Sequence, residues 1–407
     1  MKTLPRTEYL NQLLKFLDKK LIKVISGVRR CGKSTLLQLL QEHLRRSGVT
    51  EEQIVAVNFE DFDAEPLCEA RALHTFLREK LVPGRMTYIF LDEIQHVEDF
   101  PRVVDSLSIR DNVDIYITGS NGRLLSADIA ALLTGRYVEI RMLPLSFREF
   151  VEATAEKEPL RESYLRYLEQ SSFPYALELG SDKAVRTYLE GILDGILMKD
   201  IVERYKISEP SLLRSITAFL FDSIGSEVSS RGIANALSST RRKTDPKTVD
   251  RYLSALVASQ LFYEAKRYDI RGKRLLTRLE KYYSVDPALR RLMLARSGMD
   301  VGHVLENVVY LELLRRGYDV SVGKQDDYEV DFVARSHAAT LYVQVSATVR
   351  DAGTLARELR SLEAVRDNNP KLLLTLDDDP PMSYEGIWRM NALEWLVGRM
   401  PDGTVLQ

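Results

Sequence analysis

The sequence predicts an α/β chain: a P-loop NTPase parallel sheet with a helical lid, followed by a winged helix and a small α/β nuclease-like domain. Three observations carry this. Residues 27–35 read Gly-Val-Arg-Arg-Cys-Gly-Lys-Ser-Thr, a complete G-x-x-x-x-G-K-[ST] phosphate-binding loop between an apolar strand and a leucine-rich helix. Residues 87–93 form a second apolar strand that ends in two adjacent carboxylates, Asp92 and Glu93. Between Arg231 and Lys281 the chain carries 13 Lys/Arg against 5 Asp/Glu, a local balance of +8 in a chain whose formal charge is −2.

Residues 1–20 space Tyr9, Leu10, Leu13, Leu14 and Leu17 as an amphipathic helix packing on the ATPase core. Leu21 to Ile25 suits a buried strand. In the loop that follows, Gly27 and Gly32 let successive N–H groups of Arg29, Arg30 and Cys31 turn toward phosphate oxygens. Lys33 brings a mobile positive charge to the β/γ-phosphates, Ser34 is placed to ligate Mg²⁺, and Thr35 completes the nucleotide-binding set. Leu36, Leu37, Leu39 and Leu40 open a helix whose N-terminal dipole faces the same anion. Cys31 and Cys68 are the only cysteines, so no disulfide framework exists. The loop's amide groups are expected to lower the Cys31 pKa, which would open it to redox regulation; the alternative is a tolerated small residue.

Ile54 to Phe59 is a further strand. In the acidic strand, Asp92 would hold the Mg²⁺ water shell and Glu93 would orient and deprotonate the attacking water. Asp114 to Thr118 runs into Gly119-Ser120-Asn121-Gly122, where Ser120 or Asn121 would contact the γ-phosphate or the lytic water. A helix over Leu124 to Leu133 then leads to Gly135-Arg136-Tyr137. Arg136 is the candidate arginine finger, in its own subunit or a neighbour's; the alternative is a surface arginine paired with Glu139 or Asp128.

The predicted domains are residues 1–145 for the ATPase core, 146–205 for the helical lid, 206–295 for the winged helix-turn-helix and 296–407 for the nuclease-like part. Pro144 marks the change to a helical pattern. In the third domain, residues 229–237 form one capped helix and Asp245-Pro246 starts the next, with Val249, Leu253, Leu256, Val257 and Leu261 as its apolar stripe. Two β-prone runs flank Asp269 to Lys273 as a hairpin wing. Arg241, Arg242, Lys243, Lys247, Arg251, Lys273 and Arg274 are the candidate contacts to the phosphates of duplex DNA; the alternative is a protein-binding module. In the last domain Glu306 lies on a helix, and Glu329 and Asp331 share one face of a strand. The position of a Glu-x-Lys motif reads Gln344-Val345-Ser346. This is the ligand pattern of a PD-(D/E)xK nuclease with its last motif spoiled, so the domain is expected not to cut.

Composition agrees. A chain of 407 residues with 45% apolar content has room for roughly two to four domains with real cores. A net charge of −2 gives no chain-wide signature of nucleic-acid binding. No run of 18 apolar residues predicts a membrane span, and the N-terminus lacks a signal-peptide pattern, which points to the cytoplasm.

Taken over nearly its full length, the chain resembles the prokaryotic AAA-type ATPases that carry a C-terminal domain of unknown function. The residues that carry the resemblance are 26–35, Leu91-Asp92-Glu93-Ile94-Gln95, Thr118-Gly119-Ser120-Asn121, Gly135-Arg136-Tyr137, Pro144 to Phe150, Tyr282-Tyr283-Ser284-Val285-Asp286 and Glu329 to Phe332. The resemblance implies ATP as the nucleotide and the domain order read above. One departure stands out: the pair before Phe173-Pro174 is usually Gly-Gly in such proteins and is Ser171-Ser172 here. The expected function is an ATP-hydrolysing switch or motor whose winged helix faces DNA. A nucleotide-gated protein scaffold and an ATP-controlled Mg-dependent nuclease using Glu306, Glu329 and Asp331 are the alternatives.

Overall fold

The computed structural model describes residues 4–119, 135–154, 158–239, 244–294 and 300–399. Its contacts divide the chain into two compact units, Met1–Pro144 with Ala258–Gln260, and Leu145–Val257 with Leu261–Gln407.

The first unit is built on five strands, β1 (Ile22–Ser26), β2 (Ile54–Asn58), β3 (Thr87–Asp92), β4 (Val113–Gly119) and β5 (Tyr137–Arg141). They pair in the order β2-β3-β4-β1-β5, parallel throughout. β1, β3 and β4 are buried at every position, as near-continuous apolar runs must be when helices cover both faces. One core joins Val24, Ile89, Leu91, Ile115 and Ile117 to Leu73, Leu77, Val104 and Leu107 of the helices Ala70–Glu79 and Phe100–Ser108. The N-terminal helix spans Thr7–Leu14 and buries Tyr9 and Leu13. Because β4 lies between β1 and β3, the ends of three strands bring the phosphate loop, the acidic pair and Thr118 to one edge.

The second unit begins with the helices Phe147–Thr154, Leu160–Gln170 and Asp182–Gly195, the last running on into Ile196–Glu203. Helix Pro210–Asp222, strand β6 (Glu227–Val228), helices Ser230–Ser239 and Pro246–Ala258, and strands β7 (Phe262–Asp269) and β8 (Arg274–Ser284) follow. Helices Pro287–Leu294 and Val301–Arg315 lead to β9 (Asp319–Gln325), β10 (Tyr328–Arg335), β11 (Thr340–Ser346), helix Ala352–Glu363, β12 (Lys371–Thr375), β13 (Met382–Tyr384) and β14 (Ile387–Asn391). The hairpin β7–β8 does not stand alone. β7 pairs in parallel with β9, so the strands join into one sheet of nine, β13-β14-β12-β11-β10-β9-β7-β8-β6. Helix Val301–Arg315 is apolar nearly all round and correspondingly buried, carrying Glu306 and Asn307 inward with it. Among the described residues no helix is long and apolar enough to cross a membrane.

The Ser171-Ser172 turn keeps a glycine's geometry without the glycine. Ser171 sits at φ 78, ψ 154, a region that side chains normally avoid. What holds it there is the buried Asp286 carboxylate, which accepts from Ser171 Oγ at 2.9 Å and from Ser172 N–H and Oγ, each at 2.6 Å. Asp286 also caps the helix Pro287–Leu294 through Leu289 N–H at 3.0 Å. Ser171→Ala and Ser171→Gly both delete one of these hydrogen bonds, but only glycine relaxes at that φ. The alanine variant is therefore expected to be less stable than the glycine variant by about 1–2 kcal/mol in denaturant melts. Equal stability would show that the turn is unstrained.

Candidate functional site

The phosphate loop is shaped from below. A Cβ on Gly27 would stand 2.5 Å from the Met142 carbonyl oxygen and 2.7 Å from Cys31 Sγ, so only glycine fits where the chain leaves β1. Arg30 at φ 67 and Gly32 at φ 106 then wind the loop back, and helix Lys33–Arg46 starts at its mouth. Buried Arg6 reaches under the loop: its Nη1 donates to the Cys31 carbonyl at 3.1 Å and its Nη2 to the Leu143 carbonyl at 2.6 Å. The Tyr9 hydroxyl accepts from Leu143 N–H at 3.0 Å. The N-terminal helix thus pins the loop's floor to the chain leaving β5. Arg29 is held by Glu60 at 2.9 Å, Arg30 is exposed and Thr35 is half-buried. The expectation for Cys31 is corrected: its thiol is fully buried, and burial pushes its pKa up despite Lys33 and Arg6 nearby. That thiol fills the space beneath Gly27.

Lys33 and the acidic pair meet at the loop. Lys33 Nζ donates to the Gly27 carbonyl at 3.2 Å and the Val28 carbonyl at 3.4 Å, and stands 3.4 Å from Glu93 Oε1. Glu93 takes a left-handed backbone, φ 53 and ψ 46, which turns the chain at the tip of β3. The Gln95 side chain donates to its other carboxylate oxygen. Asp92 accepts hydrogen bonds from Thr118 Oγ1 and Ser34. Thr118 Oγ1 in turn accepts from Glu93 N–H at 2.9 Å, so one hydroxyl fixes both carboxylate residues. Burial raises the Asp92 pKa, with the Ser34 and Thr118 hydrogen bonds opposing the rise. The Ser34 hydroxyl and the Asp92 carboxylate, already in contact, make a hard-oxygen pair that suits Mg²⁺.

Thr118 and Gln95 were missed by sequence reasoning, which looked past the end of β4. A hydroxyl at the C-terminal tip of a largely apolar strand was the available signal. Ser120 and Asn121, and the helix expected over Leu124 to Leu133, lie outside the described residues.

Arg136 is not near this site. Its carbonyl accepts from Ile22 N–H, and Ile22 and Ser26 face Tyr137 and Arg141 in register, so Arg136 sits at the N-terminal edge of the sheet. The loop leaves the other edge, about 13 Å away along the strand at 3.3 Å per residue. The Arg136 side chain is 57% exposed and paired with Asp105 at 2.8 Å. Of the readings left open, this chain shows a paired surface arginine, with Asp105 as its partner in place of Glu139 or Asp128; a finger acting in its own subunit would have to span the sheet.

Of the candidate DNA contacts, Lys247 and Arg251 lie one turn apart and exposed on helix Pro246–Ala258, and Lys273 and Arg274 are exposed where β7 turns into β8. Arg274 is 3.7 Å from Asp269. Arg241, Arg242 and Lys243 lie outside the described residues.

Glu306, Glu329, Asp331 and Gln344 do come together. They line one cavity of about 590 Å³, into which β8 also sends Lys281. Lys281 Nζ pairs with Glu306 Oε1 at 3.1 Å and Glu329 Oε1 at 2.9 Å, and the Tyr283 hydroxyl donates to Glu306 Oε1 at 2.6 Å. Asp331 accepts from Val345 N–H at 2.8 Å, while Gln344 accepts from Asp331 N–H at 3.2 Å and donates to Glu358 at 2.9 Å.

Comparison with known proteins shows what the chain is similar to. Residues 19–151 match the AAA domain family, and residues 161–300 match a domain of unknown function. An uncharacterised protein of Haemophilus influenzae is 39% identical over 396 residues, covering 96% of this chain and 98% of its own. An uncharacterised protein of Methanocaldococcus jannaschii is 29% identical over 364 residues, 85% of this chain and 79% of its own. Among solved structures, a Walker-type ATPase of Pyrococcus abyssi aligns with 71% of this chain and 95% of its own, at 16% identity and a TM-score of 0.48.

Proposed function

We propose that this chain, which belongs to the same family as the Haemophilus influenzae protein and carries an AAA domain, hydrolyses ATP and couples that hydrolysis to duplex DNA. The observation that carries the first half is the meeting of Lys33, Ser34, Asp92 and Glu93 at one edge of the parallel sheet. In this reading the loop amides and Lys33 bind the β/γ-phosphates, releasing Lys33 from the carbonyls of Gly27 and Val28. Ser34 and Asp92 would hold Mg²⁺, which supplies charge neutralisation on the phosphates when bound. Glu93 takes the proton of the attacking water, and Gln95 and Thr118 keep its carboxylate and backbone in place. Arg136 could act as a finger only at a neighbouring subunit's site, and we assign it that role over a purely structural pairing with Asp105. Turnover per chain would then rise with protein concentration and lose that rise in Arg136→Ala.

DNA coupling is supported by the order of elements from Pro210 to Ser284, helix, short strand, two helices and a hairpin, with β6 paired on β8. Lys247 and Arg251 would contact phosphates from the second helix of the pair, and Lys273 and Arg274 from the turn. The test is ATP turnover with and without duplex DNA, at low and physiological salt, beside direct binding. Each of Lys247→Ala and Arg251→Ala is expected to reduce the slope of log affinity against log salt by about 1. Turnover indifferent to DNA, with no complex at low salt, would make the helix pair a protein-binding module instead.

A further inference from the structure

The cavity around Lys281 does not fit the divalent metal that its acidic residues suggest. Gln344 offers a neutral amide where a carboxylate ligand would be needed, and it is already engaged with Asp331 N–H and Glu358. Among the described residues no three carboxylates, histidines or cysteines are grouped as metal ligands. What stands between Glu306 and Glu329 instead is a buried ammonium. It comes from β8, outside the segment that holds the four acidic-site positions, and it pairs with both carboxylates.

We infer that Lys281 is the resident cation of this site, so that the cluster is a metal-independent clamp holding strand β8 against helix Val301–Arg315 and strand β10. Three further observations fit. Asn307, next to Glu306 on the helix, accepts from Ser284 N–H at 2.7 Å and donates to the Ser284 carbonyl at 2.9 Å, so helix and strand are joined a second time beside the clamp. Tyr283 gives its hydroxyl to the same Glu306 oxygen as Lys281 and stacks on Tyr310 with ring centroids 4.2 Å apart. Burial alone would lower the Lys281 pKa, but Glu306, Asp331 and Glu329 around it hold the ammonium above its ordinary value. An ammonium shared by the buried Glu306 and the half-buried Glu329 removes the repulsion between them that a metal would otherwise have to remove.

The consequence is specific. The measurement is Mn²⁺ binding by electron paramagnetic resonance, in nucleotide-free protein carrying Asp92→Asn to silence the phosphate-loop site, beside denaturant melts of that parent, of Lys281→Gln and of Lys281→Gln with Glu306→Gln. The expected result is no saturable Mn²⁺ in any of the three, a lower melting midpoint in Lys281→Gln with or without millimolar Mn²⁺, and partial recovery when Glu306→Gln removes the carboxylate left unpaired. Mn²⁺ bound by the parent and lost with Asp331→Asn would overturn the inference, because the site would then be a metal centre with its lysine in place. A Lys281→Gln midpoint equal to the parent's, or restored by Mn²⁺, would overturn it equally. Should Lys281→Gln not fold, the double variant decides: recovery of the native circular dichroism supports the clamp, and failure to recover overturns it.

Discussion

Glu93→Gln is expected to lower ATP turnover about 10²–10⁴-fold while ATP binding stays within a few-fold of the parent, the range that loss of a positioned general base produces. The substitution is chosen for what it preserves. Glutamine keeps the volume and an oxygen able to accept from the Gln95 side chain, and it leaves the left-handed backbone and the Glu93 N–H bond to Thr118 untouched. What it removes is the carboxylate charge, and with it both the proton acceptor and the partner of Lys33 at 3.4 Å. Free of that partner, Lys33 is more available to phosphate, so affinity for ATP is expected to hold or rise. Lys33→Met separates the two roles, since it deletes the charge that meets the phosphates and should weaken binding itself. Fluorescent-nucleotide titration beside single-turnover hydrolysis reads both quantities. Wild-type turnover in Glu93→Gln would assign the general base elsewhere and leave Glu93 as a structural partner of Lys33.

The residues of this site were legible because the chemistry is local. A loop with fixed glycine spacing and an apolar strand ending in Asp-Glu each announce themselves within ten residues. Strand order is not local. A polar group at the tip of this strand was expected between the acidic strand and the loop, and the insertion of β4 between β1 and β3 puts one there, but nothing in the segment from Val113 to Gly119 says that Thr118 is that group. Whether Arg136 serves its own subunit was open for a related reason: a strand's sequence does not say which of its ends lies beside the phosphate loop, and parallel pairing with β1 puts the arginine at the far edge. The hairpin β7–β8 was legible as a hairpin, but its pairing with β9 joins residues more than 50 positions apart and left no local trace. Lys281 was invisible as a site residue because a lysine in a basic segment reads as surface charge until its carboxylate partners are located. Ser171 shows the limit from the other side, since a tertiary contact to Asp286 holds a serine where local preference would place only glycine.

Lys23→Met is expected to cost the first unit about 3–5 kcal/mol, the range for stranding one partner of a buried ion pair. Lys23 is 0% exposed and Asp114 1%, at neighbouring places on β1 and β4 near the sheet edge away from the phosphate loop. Their side chains are directly paired, and the Asp114 carboxylate also accepts from Asp18 N–H at 3.0 Å and from the Tyr116 hydroxyl at 2.9 Å. Methionine fills the lysine's volume, so the loss is electrostatic and not a cavity. Adding Asp114→Asn keeps an oxygen for Asp18 N–H and Tyr116 and removes the stranded charge, so the double variant should recover much of the deficit. The pH dependence has a definite sign. Burial already holds the Asp114 pKa above its ordinary value with Lys23 in place, and loss of the ammonium can only raise it further. A carboxyl whose folded pKa exceeds its unfolded one contributes stability that is fully present below the unfolded pKa and lost as pH rises through the folded pKa. The Lys23→Met deficit should therefore be largest at neutral pH and shrink as pH falls toward the ordinary carboxylate range, opposite to common acid denaturation. Denaturant melts of the parent, Lys23→Met and the double variant across that range give the comparison. A deficit independent of pH, or one that the second substitution deepens, would mean that Lys23 acts through packing and that its charge is incidental to the fold.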